Sequence, residues 1–184
     1  MAKTKHTQIR LKLILLGFAT STQPTKTNAI SKGWCSRRTL FFTTNLAERK
    51  RTLLVDYIDD IRNAMKKVKS SHPFHIDAMV VLPDHLHATW TLTEGDAECP
   101  KRWPLIKADF SRCIPKDERR NPSRIAKGER GIWQRWYRED LIRDEKDHER
   151  HVDYIHFNPV NHSYVSRAID WPYPSFLRYV LNTY

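Results

Sequence analysis

The sequence predicts an α+β domain: a ferredoxin-like βαββαβ antiparallel sheet with helices, extended by a C-terminal helix. Three observations carry this expectation. Strand-like and helix-like segments follow one another as strand, helix, strand, strand, helix, strand, helix. One segment, 85–92, alternates apolar and polar residues without a break. The length, 184 residues of which 40% are hydrophobic, suits one domain around one core.

The chain opens with Lys3, Lys5, Arg10 and Lys12, followed by a short apolar run at 13–19. That order is the order of a weak secretory signal. The run is far short of the ~20 residues that span a bilayer. Residues 20–33 are rich in Thr, Ser, Gln and Asn and read as a linker. Residues 1–33 are therefore set apart as a basic extension, disordered or lying upstream of the true start. The globular domain is expected over 34–184.

Residues 39–46, TLFFTTNL, are β-branched and aromatic and read as the first strand. Leu54, Ile58, Ile61 and Met65 are spaced by four, three and four, which predicts a helix over 53–69. Residues 74–81 read as a second strand, ended by Pro83, and 86–92 as a third. Trp103, Ile106 and Phe110 share one side of a helix over 101–113. The stretch 114–131 is a basic loop punctuated by Pro and Gly, and 132–137 is the candidate fourth strand. Asp144 can cap a final helix that Asn158-Pro159 would stop. The helices are expected on one face of the sheet. The tail around Trp171-Pro172-Tyr173-Pro174 is irregular.

Net charge is +11 and the isoelectric point near 9.7, which points to a polyanionic partner. The charge is segregated. Residues 1–51 hold 11 Lys and Arg against one acid, 101–130 hold 10 against 4, and 52–100 hold 4 against 8. A solvated basic surface would give such runs. So would a phosphate-binding rim, with Trp103, Trp133 and Trp136 interleaved for base stacking. Mean hydropathy of −0.66 and the lack of a long apolar stretch argue against a membrane partner. Cys35, Cys99 and Cys113 form no CxxC and no even set, which fits a reducing cytoplasm. No phosphate-loop or dinucleotide-binding glycine motif is present, so no small-molecule cofactor is expected.

The sharpest local signal is Pro83-Asp84-His85-Leu86-His87-Ala88-Thr89-Trp90-Thr91-Leu92. On a strand, Leu86, Ala88, Trp90 and Leu92 share one face, and His85, His87, Thr89 and Thr91 the other. Two imidazoles at i and i+2 can chelate a divalent metal. Alone, such a pair is also what two ordinary histidines on a polar face look like. In the last helix Asp147, His151, Tyr154 and Asn158 form one stripe, with Val152 and Ile155 beside it. Tyr154 can be a half-buried packing residue or a nucleophile. As a nucleophile it would attack phosphorus and leave a phosphotyrosine link and a free 3′ hydroxyl, with a metal offsetting the phosphodiester charge. Asn158 could complete the metal shell through its amide oxygen, and His151 could move a proton or bind phosphate.

The segment 80–92, VVLPDHLHATWTL, resembles the His-hydrophobic-His motif of the IS200-like tyrosine transposases. The segment 151–160, HVDYIHFNPV, resembles that family's catalytic-tyrosine helix, most nearly in the REP-associated subgroup. Gly131-Ile132-Trp133-Gln134 and Asp170-Trp171-Pro172-Tyr173 add to a likeness that spans about 36–180. The resemblance implies an HUH-class single-strand DNA endonuclease and strand transferase over 34–184. It implies Mg²⁺ or Mn²⁺ as cofactor and a 5′-phosphotyrosine intermediate. His85 and His87 would be metal ligands, Asn158 a third polar ligand and Tyr154 the nucleophile. The implied partner is single-stranded DNA folded as a repeat hairpin, and the protein would act as monomer or homodimer. Arg37, Arg38, Lys101, Arg102, Arg112 and Arg135 are the candidate DNA contacts, since phosphate contacts supply much of such affinity. The sequence departs from the family at Arg37-Arg38, at 135–138, and at Asp140, Asn161 and Ser163. The alternative reading is a domesticated protein that holds hairpins without cutting them.

Overall fold

The computed structural model describes residues 38–96 and 98–173. The extension 1–33 and Arg37 lie outside the described residues. Four strands, β1 (Thr39–Asn45), β2 (His75–Val81), β3 (His85–Thr91) and β4 (Arg138–Leu141), form one sheet in the order β2-β3-β1-β4. Every neighbouring pair is antiparallel, with Asn45 opposite His85 and Thr43 opposite His87. The helices are α1 (Leu53–Asp56), α2 (Ile58–Ser71), α3 (Cys99–Cys113), α4 (Pro122–Ala126) and α5 (Glu145–Asn161), followed by a 3₁₀ turn at Ala168–Asp170. The α+β class and the antiparallel sheet are as expected.

Strand alternation divides the core in two. Leu40, Phe42, Leu86, Ala88 and Trp90 point to one face, where α2 brings Ile61, Met65 and Val68, and α3 brings Trp103, Ile106 and Phe110. Trp90 stacks on Trp103 with ring centroids 4.5 Å apart. Phe41, Ala78 and Val80 point the other way, against Val152 and Ile155 of α5 and against Trp171. The indole of Trp171 donates to the carbonyl of Val81 at 3.0 Å and ties the tail to the sheet. The sheet is thus covered on both faces, not on one. The face of His85 and His87 is roofed by α5, and both rings are buried.

Three element boundaries differ from expectation. The helix foreseen over 53–69 breaks at Tyr57, which lets the consecutive Leu53 and Leu54 both reach the core. The fourth strand is not 132–137. Ile132 and Trp133 are adjacent and both buried, and only Trp133 makes a bridge, to Leu46. The strand is the charged REDL that follows, an edge strand whose polarity suits an exposed ladder. Finally, α5 runs past Pro159 to Asn161. It closes with Ser163 N–H donating to the Val160 carbonyl and Tyr164 N–H to that of Pro159, both at 3.0 Å, with Ser163 at φ +60°. That is a Schellman closure with serine where glycine is usual. Among the described residues no helix is long and apolar enough to cross a membrane.

Candidate active site

β3 sets the floor of the site. The rings of His85 and His87 are 5.0 Å apart, centroid to centroid, and nearly perpendicular. Each Nδ1 is engaged. That of His87 lies 2.9 Å from the Thr43 hydroxyl, and that of His85 lies 2.7 Å from a carboxylate oxygen of Asp84. Asp84 also pairs with Arg49, which donates in addition to Asn45 at 2.9 Å. Burial pushes the Asp84 carboxyl up, but the bonds to His85 and Arg49 outweigh it and hold its pKa at about 2. Burial, aided by the charges of His85, His162, Arg49 and Arg138, pushes His87 well below the usual imidazole range and favours its neutral ring. With Nδ1 engaged on both rings, Nε2 is the nitrogen left to ligate.

α5 supplies the wall. Its start is fixed by Asp144, whose side chain accepts from the Asp147 N–H at 2.8 Å, and Glu145 and Asp147 in the first turn suit the helix dipole. Its phase is fixed by burial of Val152 and Ile155. The same phase brings the Tyr154 ring to 5.1 Å from His87 and 6.0 Å from Phe41, and the His151 ring to 4.7 Å from Phe41. Asp147 stays at the helix start, where its carbonyl lies 2.8 Å from Nδ1 of His151. Burial raises the Tyr154 phenol above its usual value, against a hydrogen bond from Asn158 and the charge of Arg138. Asn158 is 1% exposed, and its Oδ1 is buried with no hydrogen-bond partner. A buried amide oxygen with nothing to accept is costly unless something else meets it, and a cation would.

The structure sets His87 beside both His85 and Tyr154, and Asn158 hydrogen-bonds Tyr154 from one turn further along α5. Among the described residues no group of three or more His, Cys, Asp and Glu side chains could hold a metal. Two imidazoles and the orphaned amide oxygen are nitrogen and oxygen donors of the kind that could hold a divalent cation. Sequence reasoning missed His162. Its ring is 5.1 Å from that of His85, and burial together with the His85 charge lowers its pKa. The Schellman closure that puts it there extends α5 beyond the expected stop at Pro159.

The expected DNA contacts fare unequally. Lys101 and Arg112 are exposed on α3, paired with Glu98 and Asp109. Arg135 pairs with Glu129 at 2.9 Å. Arg38 is half-buried and donates to the Asp96 carbonyl at 3.0 Å. Arg102 does not reach the surface. It is 2% exposed, paired with Asp96 at 2.6 Å, and donates to the carbonyls of His72 and Pro73. Of the three tryptophans, Trp103 and Trp133 are core and Trp136 is 74% exposed. Trp136 lines a groove of about 850 Å³ with Lys107, Arg112, Lys116, Lys127 and Arg135. Lys107 sits 5.7 Å over Trp133 and donates to the Gln134 carbonyl; burial lowers its pKa to about 8.

No protein-family model matches the chain. It is 45% identical over 139 residues to a REP-associated tyrosine transposase of Haemophilus influenzae, covering 75% of this chain and 79% of the relative. It is 43% identical over 140 residues to the REP-associated tyrosine transposase of Escherichia coli, covering 76% and 77%. A solved structure of a REP-associated tyrosine transposase bound to a REP hairpin superposes with a TM-score of 0.68 at 39% identity, covering 84% of this chain and 86% of the other. With likeness at that level over most of its length, in sequence and in fold, the chain belongs to the REP-associated tyrosine transposases, a family of DNA-processing enzymes.

Proposed function

We propose that the protein is a metal-dependent single-strand DNA endonuclease and strand transferase that acts on hairpin repeats through a 5′-phosphotyrosine intermediate. The observation that carries this is the packing of Tyr154 against His87, with the unsatisfied Oδ1 of Asn158 one turn along the same helix. His85 and His87 through Nε2, and Asn158 through Oδ1, would hold the Mg²⁺ or Mn²⁺ ion. The bound ion would polarise the phosphodiester and offset its charge.

The remaining steps belong to the chain's own residues. Tyr154 enters as a phenol, because burial favours the neutral form. Its Oη bonds to phosphorus as the P–O3′ bond breaks. The phenol gives up its proton and the 3′ oxygen gains one, so a 3′ hydroxyl and a 5′-phosphotyrosine result. The link conserves the bond energy, and a second 3′ hydroxyl can reverse the step onto a new end. Asn158 orients the phenol through its side-chain hydrogen bond, and Phe41 packs the tyrosine and His87 rings into one shielded group.

The hairpin would lie along the basic groove. Arg112 and Arg135 line it, and Trp136 offers an open aromatic face for an unpaired base. The solved relative is a complex with a REP hairpin, and hairpin DNA is accordingly the substrate proposed for this chain.

The test is to incubate the protein and a Tyr154→Phe variant with labelled hairpin DNA from the flanks of its own gene, in Mn²⁺ or in EDTA. The expected result is a covalent protein–DNA adduct with Mn²⁺ that EDTA and Tyr154→Phe both abolish, while the variant still binds the hairpin. Binding without an adduct under any metal would make this a hairpin-holding protein that does not cut.

A further inference from the structure

The edge strand brings a pair of charges to the rim of the site. In the β1–β4 register Arg138 stands opposite Thr43, and Asp140 opposite Phe41. Directly opposed residues on paired strands share a face. Arg138 and Asp140 therefore stand on the face of Thr43 and Phe41, the two residues that contact His87 from β1. Phe41 also packs on Tyr154. The Nε of Arg138 donates to Asp140 at 2.6 Å. No described residue accepts from either terminal nitrogen, and the side chain is about half exposed, at 49%. Arg49, the other arginine at the site, is by contrast tied to both Asp84 and Asn45.

We propose that Arg138 is a further catalytic residue of this centre: its two terminal nitrogens hold the non-bridging oxygens of the scissile phosphodiester during attack by Tyr154, and Asp140 positions the guanidinium through Nε. The inference rests on the tyrosine-nucleophile reading above. A planar guanidinium with Nε fixed presents a fork that matches two phosphate oxygens, which an ammonium cannot do. Negative charge on those oxygens has to be met as the Tyr154–P bond forms and the P–O3′ bond breaks, and preorganised donors do this without rearrangement. The guanidinium keeps its protons throughout. The proton balance remains the one between phenol and 3′ oxygen. The charge of Arg138 also extends to both Tyr154 and His87, in keeping with a place beside the reacting atoms.

The test compares two quantities for the full chain. One is the single-turnover rate of adduct formation in Mn²⁺ at saturating hairpin DNA. The other is hairpin affinity in EDTA. Arg138→Ala is expected to slow the adduct step by ~10²-fold, the scale of one lost transition-state donor, with affinity changed by less than about threefold. Arg138→Lys should recover only a minor part of the rate, and Asp140→Asn should slow it several-fold through loss of the fixed geometry. An unchanged rate in Arg138→Ala, with the wild-type protein active, overturns the proposal and leaves the tyrosine reading standing. A fall in affinity as large as the fall in rate makes Arg138 a DNA-backbone contact and overturns it too. Full activity of Arg138→Lys reduces the role to a point charge and rejects the fork. A wild-type protein that forms no adduct sinks the tyrosine reading itself, and this proposal with it.

Discussion

The hydroxyl of Thr43 lies 2.9 Å from Nδ1 of His87 and so decides which ring nitrogen faces the site. Replacing Thr43 by Val keeps the branched shape and the strand but removes that bond. Outer partners of this kind typically contribute 10–100-fold in metal affinity or activity. The Mn²⁺ concentration for half-maximal adduct formation is expected to rise by about that factor in Thr43→Val, read in a metal titration. An unchanged titration would mean that His87 is oriented by packing on Phe41 alone. At this scale the sequence was informative where chemistry coincides with periodicity. His85 and His87 show in the alternation of one strand, and Tyr154 and Asn158 show in one helical stripe. His162 and Arg138 do not, because each gains its meaning from a residue far away in the chain, His85 and Thr43 respectively. Arg102 misleads for the same reason. It sits in a basic run, yet it is buried in the core and bonded to the distant carbonyls of His72 and Pro73 as well as to the nearby Asp96.

Among the elements, α5 does most to assemble the site, and its two ends are made differently. The N-terminus carries an aspartate cap that is readable from the sequence. The C-terminus depends on a left-handed Ser163, four residues after the Pro159 that was expected to stop the helix. Pro159 has no N–H to donate, and the Schellman closure beyond it satisfies the carbonyls of Pro159 and Val160. An L-residue in the left-handed region costs ~1–2 kcal/mol, which glycine avoids at some expense in unfolded-chain entropy. Ser163→Gly is therefore expected to stabilise the protein by ~0.5–1 kcal/mol and raise Tm by ~1–4 °C in calorimetry. A lower Tm would show that the serine side chain holds the turn in another way. β4 was unreadable for the opposite reason. Its four residues are a short edge strand, mostly charged and none of them buried, and hydrophobic patterning has nothing to report there.

At the scale of the whole molecule, one sheet serves two purposes. One face is sealed under α2 and α3 and holds the larger core. The other is roofed by α5, and the proposed chemistry falls on the part of it where histidines replace aliphatic residues. The order of elements and the antiparallel class could be read from alternation and spacing. The second roof could not, because α5 has to be folded back onto the sheet before its buried stripe shows what it meets. That fold-back bears on how the protein behaves when it is scarce. The tyrosine and the histidine it packs on, 5.1 Å apart, come from the same polypeptide. On the proposed chemistry each chain furnishes a whole reaction centre, and at saturating DNA the adduct rate per molecule should not change over a hundredfold dilution. A rate that falls with protein concentration would mean instead that the tyrosine is lent between two copies. In a cell with few copies, a self-sufficient chain makes fewer cuts in total, but each takes no longer.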